Sequence, residues 1–235
     1  SGMTSWVTER SLARPTSSTG AAVWRRPLTW VMAVAFAAQT FSYYAISGWL
    51  PTALVDELSM SESGAGVAAS VFSLLGIVGP LLVPVMFEAL GWPASRVLGV
   101  ICACWLMLPI CLTVAPGRWL VPCMLSGIAQ GAFFAALFTL VIRRSSSVDE
   151  NRQTTAVIQT TGYCLAAVGP VVMGWVHQRS GGWVAPFVMV VGVLVLMSVC
   201  AQITARAGES GRPRPTIPAG VLSGEDEQVE QGGDQ

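Results

Sequence analysis

Uncharged polar side chains recur at helical spacing inside long apolar stretches of this sequence. Gln39 and Tyr43 are four residues apart, so they share one face of a helix. Amide and phenol groups placed in hydrocarbon need a partner or water, because each unsatisfied group there costs several kcal/mol. The candidate residues are Gln39, Tyr43 and Tyr44 in the first of six apolar stretches, Gln130 in the fourth, and Gln159 and Tyr163 in the fifth.

Two interpretations of these polar clusters are open. The side chains either hydrogen-bond one another between helices, or they line a hydrated cavity that binds a small-molecule substrate. Three separate stretches each carry one cluster, and this repetition favours the cavity. We therefore predict that the six residues bind substrate.

A glycine and a proline follow the first polar cluster. Gly48 and Pro51 lie in the segment Gly-Trp-Leu-Pro, which predicts an interruption in the outer third of the first helix. Interrupted membrane helices are tolerated where they line a cavity, and transporters use them at gates. Gly48 and Pro51 are thus predicted to form an outer gating hinge.

The apolar stretches carry no charged residue at depth, which argues against an enzyme. An intramembrane hydrolase would need His, Asp, Glu or Lys beside its nucleophile, and the one histidine, His177, is predicted at the outer end of the fifth span as an interfacial loop residue. Cys102 and Cys104 lack zinc spacing and a complementary ligand pair. We expect no catalytic residue, no metal site and no cofactor.

The placement of charge predicts the fold class. Only 11% of the residues are charged, whereas soluble domains have about 25%. A bilayer core of about 30 Å is crossed by roughly 20 apolar residues in a helix. The sequence therefore predicts an all-α integral membrane protein with six transmembrane helices, in contact with the lipid bilayer and without a nucleic-acid partner. The uncharged stretches are 27–55, 63–87, 97–117, 119–142, 153–178 and 180–205.

The basic residues predict the orientation. Eleven of the 13 arginines fall on the side that holds both termini, and only Arg118 and Arg179 fall on the other. Because cytoplasmic loops are enriched in basic residues, both termini are predicted to be cytoplasmic, with the protein in the plasma membrane. The predicted regions are a disordered basic segment (1–26), the six-helix bundle (27–205) and a disordered cytoplasmic tail (206–235).

Three stretches carry a family resemblance. They are FSYYAISGWLPTAL (41–54), GIAQGAFFAALFTLVIRR (127–144) and TTGYCLAAVGPVVMGWVHQRSGGW (160–183). In this order they resemble the carboxy-terminal six-helix half of a major facilitator superfamily transporter, in the branch of cyanate permeases and 2-nitroimidazole transporters. The resemblance implies alternating-access transport of a small anion such as cyanate, or of a small polar heteroaromatic solute.

Two departures from the family pattern qualify this resemblance. The loop EALGWPASR (88–96) lacks the Asp-Arg-Gly core of the family's loop signature. Only the second set of six helices is present, so the resemblance implies a missing amino-terminal half, with an arginine for an anionic substrate, or a dimer partner. The alternative is a non-transporting six-helix subunit, or pseudo-transporter, that binds a partner.

Overall fold

The computed structural model describes residues 23–209, and the secondary structure in that range is entirely helical. A π-helical segment, Val85–Ala89, and a 3₁₀ turn, Pro116–Arg118, accompany the α-helices. The α-helices are α1 (Pro27–Leu58), α2 (Glu62–Leu75), α3 (Val78–Pro84), α4 (Ala94–Val114), α5 (Leu120–Arg144), α6 (Val148–Ala166), α7 (Gly169–Ser180) and α8 (Val184–Glu209).

Five segments of the described chain are long and apolar enough to cross a membrane. Two of them are built from helices in line: α2 continues through α3 to Ala89, and α6 continues through α7 to Ser180. The other three are α4, α5 and α8. Helix α1 has the length, but the polar residues at its centre keep it out of this set, so six spans stay a prediction.

Helix α1 nevertheless occupies the centre of the bundle. It packs against α2, α5, α6, α7 and α8. Buried positions occur on all of its faces, and they include the polar residues Gln39, Thr40 and Ser42. Because neighbouring helices surround it, α1 can carry polar side chains that a lipid-facing helix could not.

Small residues let α5 approach the junction of α2 and α3 closely. A methyl group placed on Gly79 would lie 2.2 Å from the carbonyl oxygen of Ile128, and one on Gly131 would lie 1.9 Å from that of Gly76. Only hydrogen fits at such distances, so these glycines set the spacing between the helices.

A proline interrupts the backbone hydrogen bonds of α4, and a serine side chain from α5 bonds the backbone groups that are left without a partner. Pro109 has no N–H for the carbonyl of Trp105, four residues earlier. The Ser126 hydroxyl lies 3.2 Å from that carbonyl and 2.8 Å from the carbonyl of Cys104, and it accepts from the Leu108 N–H at 3.1 Å. Ser126 is fully buried, so this repair joins α4 to α5.

Residues 143–152, which separate the fourth and fifth apolar stretches, are mostly helical. Helix α5 continues to Arg144, and α6 already begins at Val148. The Ser147 hydroxyl accepts from the Glu150 N–H at 3.1 Å and caps α6. The fifth span therefore begins before the apolar stretch at 153, because the Ser-x-x-Glu capping pattern starts the helix within the charged segment.

Glu150 ties this end of the bundle together. Its carboxylate is 5% exposed, forms an ion pair with Arg26 and accepts from the Ser146 N–H at 3.0 Å. The Ser146 hydroxyl donates to the same carboxylate. The residues before α1 are thereby joined to the start of α6.

Aromatic packing closes the opposite end. His177 lies in the last turn of α7, not in a loop, and stacks on Trp183 with ring centroids 4.0 Å apart. The Trp183 indole donates to the Asp56 carboxylate at 2.9 Å. These contacts join α1, α7 and the residue that precedes α8, and they assign His177 a packing role.

The predicted terminal regions lie largely outside the described residues. Of the basic segment 1–26, only 23–26 are described. Helix α8 extends to Glu209, beyond the predicted end of the bundle at 205, and the remainder of the predicted tail lies outside the description.

Gly79→Ala is expected to destabilise the protein, because the methyl group would overlap the α5 backbone. Overpacking of this kind costs about 1–3 kcal/mol. The measurement is the thermal unfolding temperature in mild detergent, with Gly192→Ala as the control, since Gly192 lies in a helix with no atom near its Cβ position. Equal unfolding temperatures for the two variants would contradict the tight packing at Gly79.

Glu150→Ala is expected to lower stability by about 2 kcal/mol, because it removes charge-assisted hydrogen bonds at a helix end. Asp149→Ala is the matched control: Asp149 is in the same first turn but exposed. The same unfolding measurement compares the two variants. If Glu150→Ala lowers stability no more than Asp149→Ala does, the Glu150 contacts add nothing beyond the effect of a negative charge at the helix end.

Candidate functional site

A cavity of about 280 Å³ lies between α1, the α2–α3 junction, α5 and α6. The helices that carry the three predicted polar clusters meet there. The cavity therefore gathers residues that are far apart in the sequence. Its lining consists of Gln39, Thr40, Tyr43, Tyr44, Gly76, Pro80, Gln130, Gly131, Phe134 and Tyr163.

Buried hydrogen bonds hold one wall of the cavity. The Gln39 amide nitrogen donates to the carbonyl of Gln130 at 2.9 Å, and its oxygen accepts from the Trp105 indole at 2.5 Å. The Thr40 hydroxyl lies 2.9 Å from the carbonyl of Phe36 in its own helix and 3.1 Å from that of Gly162 in α6. Gln39 and Thr40 thus connect α1 to α4, α5 and α6.

Aromatic rings form most of the remaining surface. Tyr43 and Tyr44 meet edge to face with centroids 5.2 Å apart. Tyr163 meets Phe36 edge to face at 5.6 Å, and Phe134 lies 5.7 Å from Phe36. Tyr44 and Tyr163 are 42% and 47% exposed, so ring faces and phenol groups remain available to a solute.

The chemistry of this lining is that of recognition without formal charge. It presents phenol hydroxyls, amide groups and aromatic faces, and no charged side chain is part of it. Such a surface can stack against a planar solute and hydrogen-bond its edge. Within residues 23–209, no group of three or more His, Cys, Asp or Glu side chains is arranged to hold a metal ion.

The structure gathers five of the six predicted binding residues at this cavity: Gln39, Tyr43, Tyr44, Gln130 and Tyr163. Gln159 does not line it. Gln159 lies one turn before Tyr163 in α6, nearer the Glu150 end, and the cavity reaches α6 only at the level of Tyr163. Its role in binding stays a prediction without geometric support.

Both alternatives for the polar residues apply to Gln39. It hydrogen-bonds between helices and also faces the cavity.

Trp105 and Phe134 contribute to the site but were not predicted from the sequence. Phe134 follows Gln130 by four residues, so helical spacing alone would have identified it; no local pattern identifies Trp105, which acts from another helix.

The predicted interruption of α1 is absent: the helix runs through Gly48 and Pro51 to Leu58. A methyl group on Gly48 would meet Pro170 at 3.8 Å, and the neighbouring Trp49 indole donates to the carbonyl of Pro170 at 2.8 Å. Packing against α7 holds this part of α1 helical despite the missing N–H of Pro51. Gly48 and Pro51 do not line the cavity, and their gating role remains a hypothesis.

Comparison with known proteins finds one matching family and two similar proteins. The profile of the Major Facilitator Superfamily matches residues 32–224. The 2-nitroimidazole transporter of Escherichia coli (strain K12) is 28% identical over 187 residues, which are 80% of this chain and 47% of that protein. The uncharacterized transporter YycB of Bacillus subtilis (strain 168) is 24% identical over 186 residues, 77% of this chain and 45% of that protein.

The chain thus spans about half the length of the curated relatives it matches. Both relatives are named as transporters, in agreement with the expectation that the chain is not an enzyme. The profile match extends from α1 through the whole described bundle, and it includes every residue that lines the cavity. The chain belongs to the Major Facilitator Superfamily of transporters.

Proposed function

We propose that the chain is the carboxy-terminal half of a secondary transporter that moves a small solute by alternating access. The observation that carries this proposal is the cavity, where polar and aromatic residues converge among apolar helices. In transporters built from two parallel helical repeats, substrate sites lie near the bilayer midplane at the interface between the repeats. The half-length match to the relatives supports a second half as the partner, which we propose to be the amino-terminal one.

The lining favours a small planar polar solute. Rings from Tyr43, Tyr44, Phe134 and Tyr163 can stack on such a solute, and the Gln130 amide can bond its edge. The relative named as a 2-nitroimidazole transporter supports a heteroaromatic solute. A small anion such as cyanate is the other candidate, and it would draw its positive charge from the missing half.

The transporter is proposed to reside in the plasma membrane with both termini of this half in the cytoplasm. The distribution of arginines supports this orientation. In the structure, Arg26 and Arg144 lie at one end of the bundle. Arg118 follows the end of α4, and Arg179 lies in the last turn of α7, both at the opposite end.

Tyr43→Ala and Gln130→Ala in the complete transporter are expected to lower uptake of 2-nitroimidazole or cyanate by about tenfold, because each removes a stacking face or a hydrogen bond. The measurement is initial-rate uptake by cells, normalised to protein in the membrane. Tyr43→Phe separates the hydroxyl from the ring, and Gln159→Ala tests the residue outside the cavity.

Gln202→Ala is the control for this experiment, because the Gln202 amide bonds the carbonyl of Ser95 away from the cavity. Normal uptake by both cavity variants would reject the site. Loss of uptake by Gln202→Ala to the same extent would show a general defect. A native protein with no uptake of either solute would favour a non-transporting subunit.

Pro51→Ala is expected to slow turnover with little change in KM, because it restores a backbone N–H to the ladder and stiffens the end of α1. Thr52→Ala is the control, since Thr52 is the exposed neighbour on the same turn. Uptake kinetics in proteoliposomes give both constants. An unchanged kcat would show that Pro51 has no gating role, and it would reject the predicted hinge.

A further inference from the structure

The orientation of the Gln39 amide is determined by its two partners. The atom that faces the Trp105 indole at 2.5 Å must be the oxygen, because an indole N–H can only donate. The atom that faces the Gln130 backbone carbonyl at 2.9 Å must be the nitrogen, because a carbonyl can only accept. A flipped amide would place donor against donor and acceptor against acceptor.

This orientation determines what Gln39 offers to a solute. Its oxygen is turned towards Trp105, which is fully buried in α4. Its nitrogen carries two hydrogens, and the Gln130 carbonyl takes one of them. Gln39 lines the cavity, and its second amide hydrogen is the one left for a solute once the Gln130 carbonyl has taken the first. Gln39 can therefore act as a hydrogen-bond donor towards the cavity.

Trp105 does not line the cavity, yet it is held firmly. Its backbone carbonyl lies 3.2 Å from the Ser126 hydroxyl beside the opening at Pro109. Its ring lies 5.8 Å from that of Phe72, which in turn stacks on Tyr43 at 6.2 Å. The indole can therefore hold the Gln39 oxygen without shifting position itself.

We propose that Trp105 is a positioning residue that acts through Gln39. It keeps an amide N–H facing the cavity, so that the site selects solutes carrying a hydrogen-bond acceptor at that point. Suitable acceptors are a nitro oxygen, a pyridine-type ring nitrogen or the terminal atoms of a small linear anion. The inference rests on the proposed function, since it requires that the cavity bind the substrate.

The test is uptake kinetics of 2-nitroimidazole and of cyanate by the complete transporter in proteoliposomes. Trp105→Phe removes the indole N–H and is expected to raise KM by about three- to tenfold, the value of one hydrogen bond. The kcat is expected to stay within about twofold. Gln39→Met removes the donor itself and should raise KM at least as much.

A double-mutant cycle distinguishes positioning from packing. If Trp105 acts through Gln39, then adding Trp105→Phe to Gln39→Met produces no further rise in KM. Trp183→Phe is the matched control, because Trp183 is also a buried indole bonded to a side chain of α1, but it lies away from the cavity. Its KM should equal that of the unaltered protein.

Several results would overturn the inference. A rise in KM from Trp105→Phe that persists in the Gln39→Met background, or an equal rise from Trp183→Phe, would show a general packing effect. If Trp105→Phe does not accumulate in the membrane, an unchanged KM for Gln39→Met alone would reject the donor. Absence of uptake of both probes would overturn the substrate class and this inference together.

Failure of the proposed site gives a different pattern. Unchanged kinetics for Gln130→Ala and Tyr43→Ala would reject the cavity as the substrate site. Impaired kinetics for those two variants, combined with an unchanged KM for Trp105→Phe, would retain the site and reject only the positioning role.

Discussion

A polar side chain enclosed by membrane helices must find its partners within the protein, and Gln39 meets this requirement for three helices at once. It accepts from Trp105 in α4 and donates to the backbone of Gln130 in α5. The bond to Trp105 is buried and the bond to Gln130 is partly buried, and an unpaired amide in such surroundings would be costly. A single amide thus links α1 to α4 and α5, of which α1 and α5 line the cavity.

Close backbone packing makes this arrangement geometrically feasible. Gly79 and Gly131 let α5 approach the α2–α3 junction to distances that a methyl group would not permit. Without a hydrophobic driving force between helices in lipid, such contacts and interhelical hydrogen bonds supply much of the association. The Pro109 opening and the Ser126 repair illustrate the same rule, because the freed backbone groups are satisfied from a neighbouring helix.

The division of roles within the cavity follows from burial. Gln39 is 3% exposed and already bonded, so it contributes one directed donor. Tyr44 and Tyr163 are almost half exposed, so they contribute adaptable surface. A site with one fixed polar group and several ring faces can orient a planar solute while still releasing it, as the proposed alternating access would require.

The amino-acid sequence by itself determined the class of protein, the approximate positions of the apolar segments and most of the polar cavity residues, because hydropathy and helical spacing are local properties. It indicated Gln39, Tyr43 and Gln130, which the structure gathers at one cavity. It misjudged the start of α6 and the continuity of α1 at Pro51, where a cap and packing against α7 decide the outcome. Only the tertiary structure decided that Gln159 lies one helical turn away from the cavity in α6, and that Trp105 orients Gln39. The physical reason is that depth along a helix and partners from distant helices depend on how whole helices pack, which no local spacing encodes.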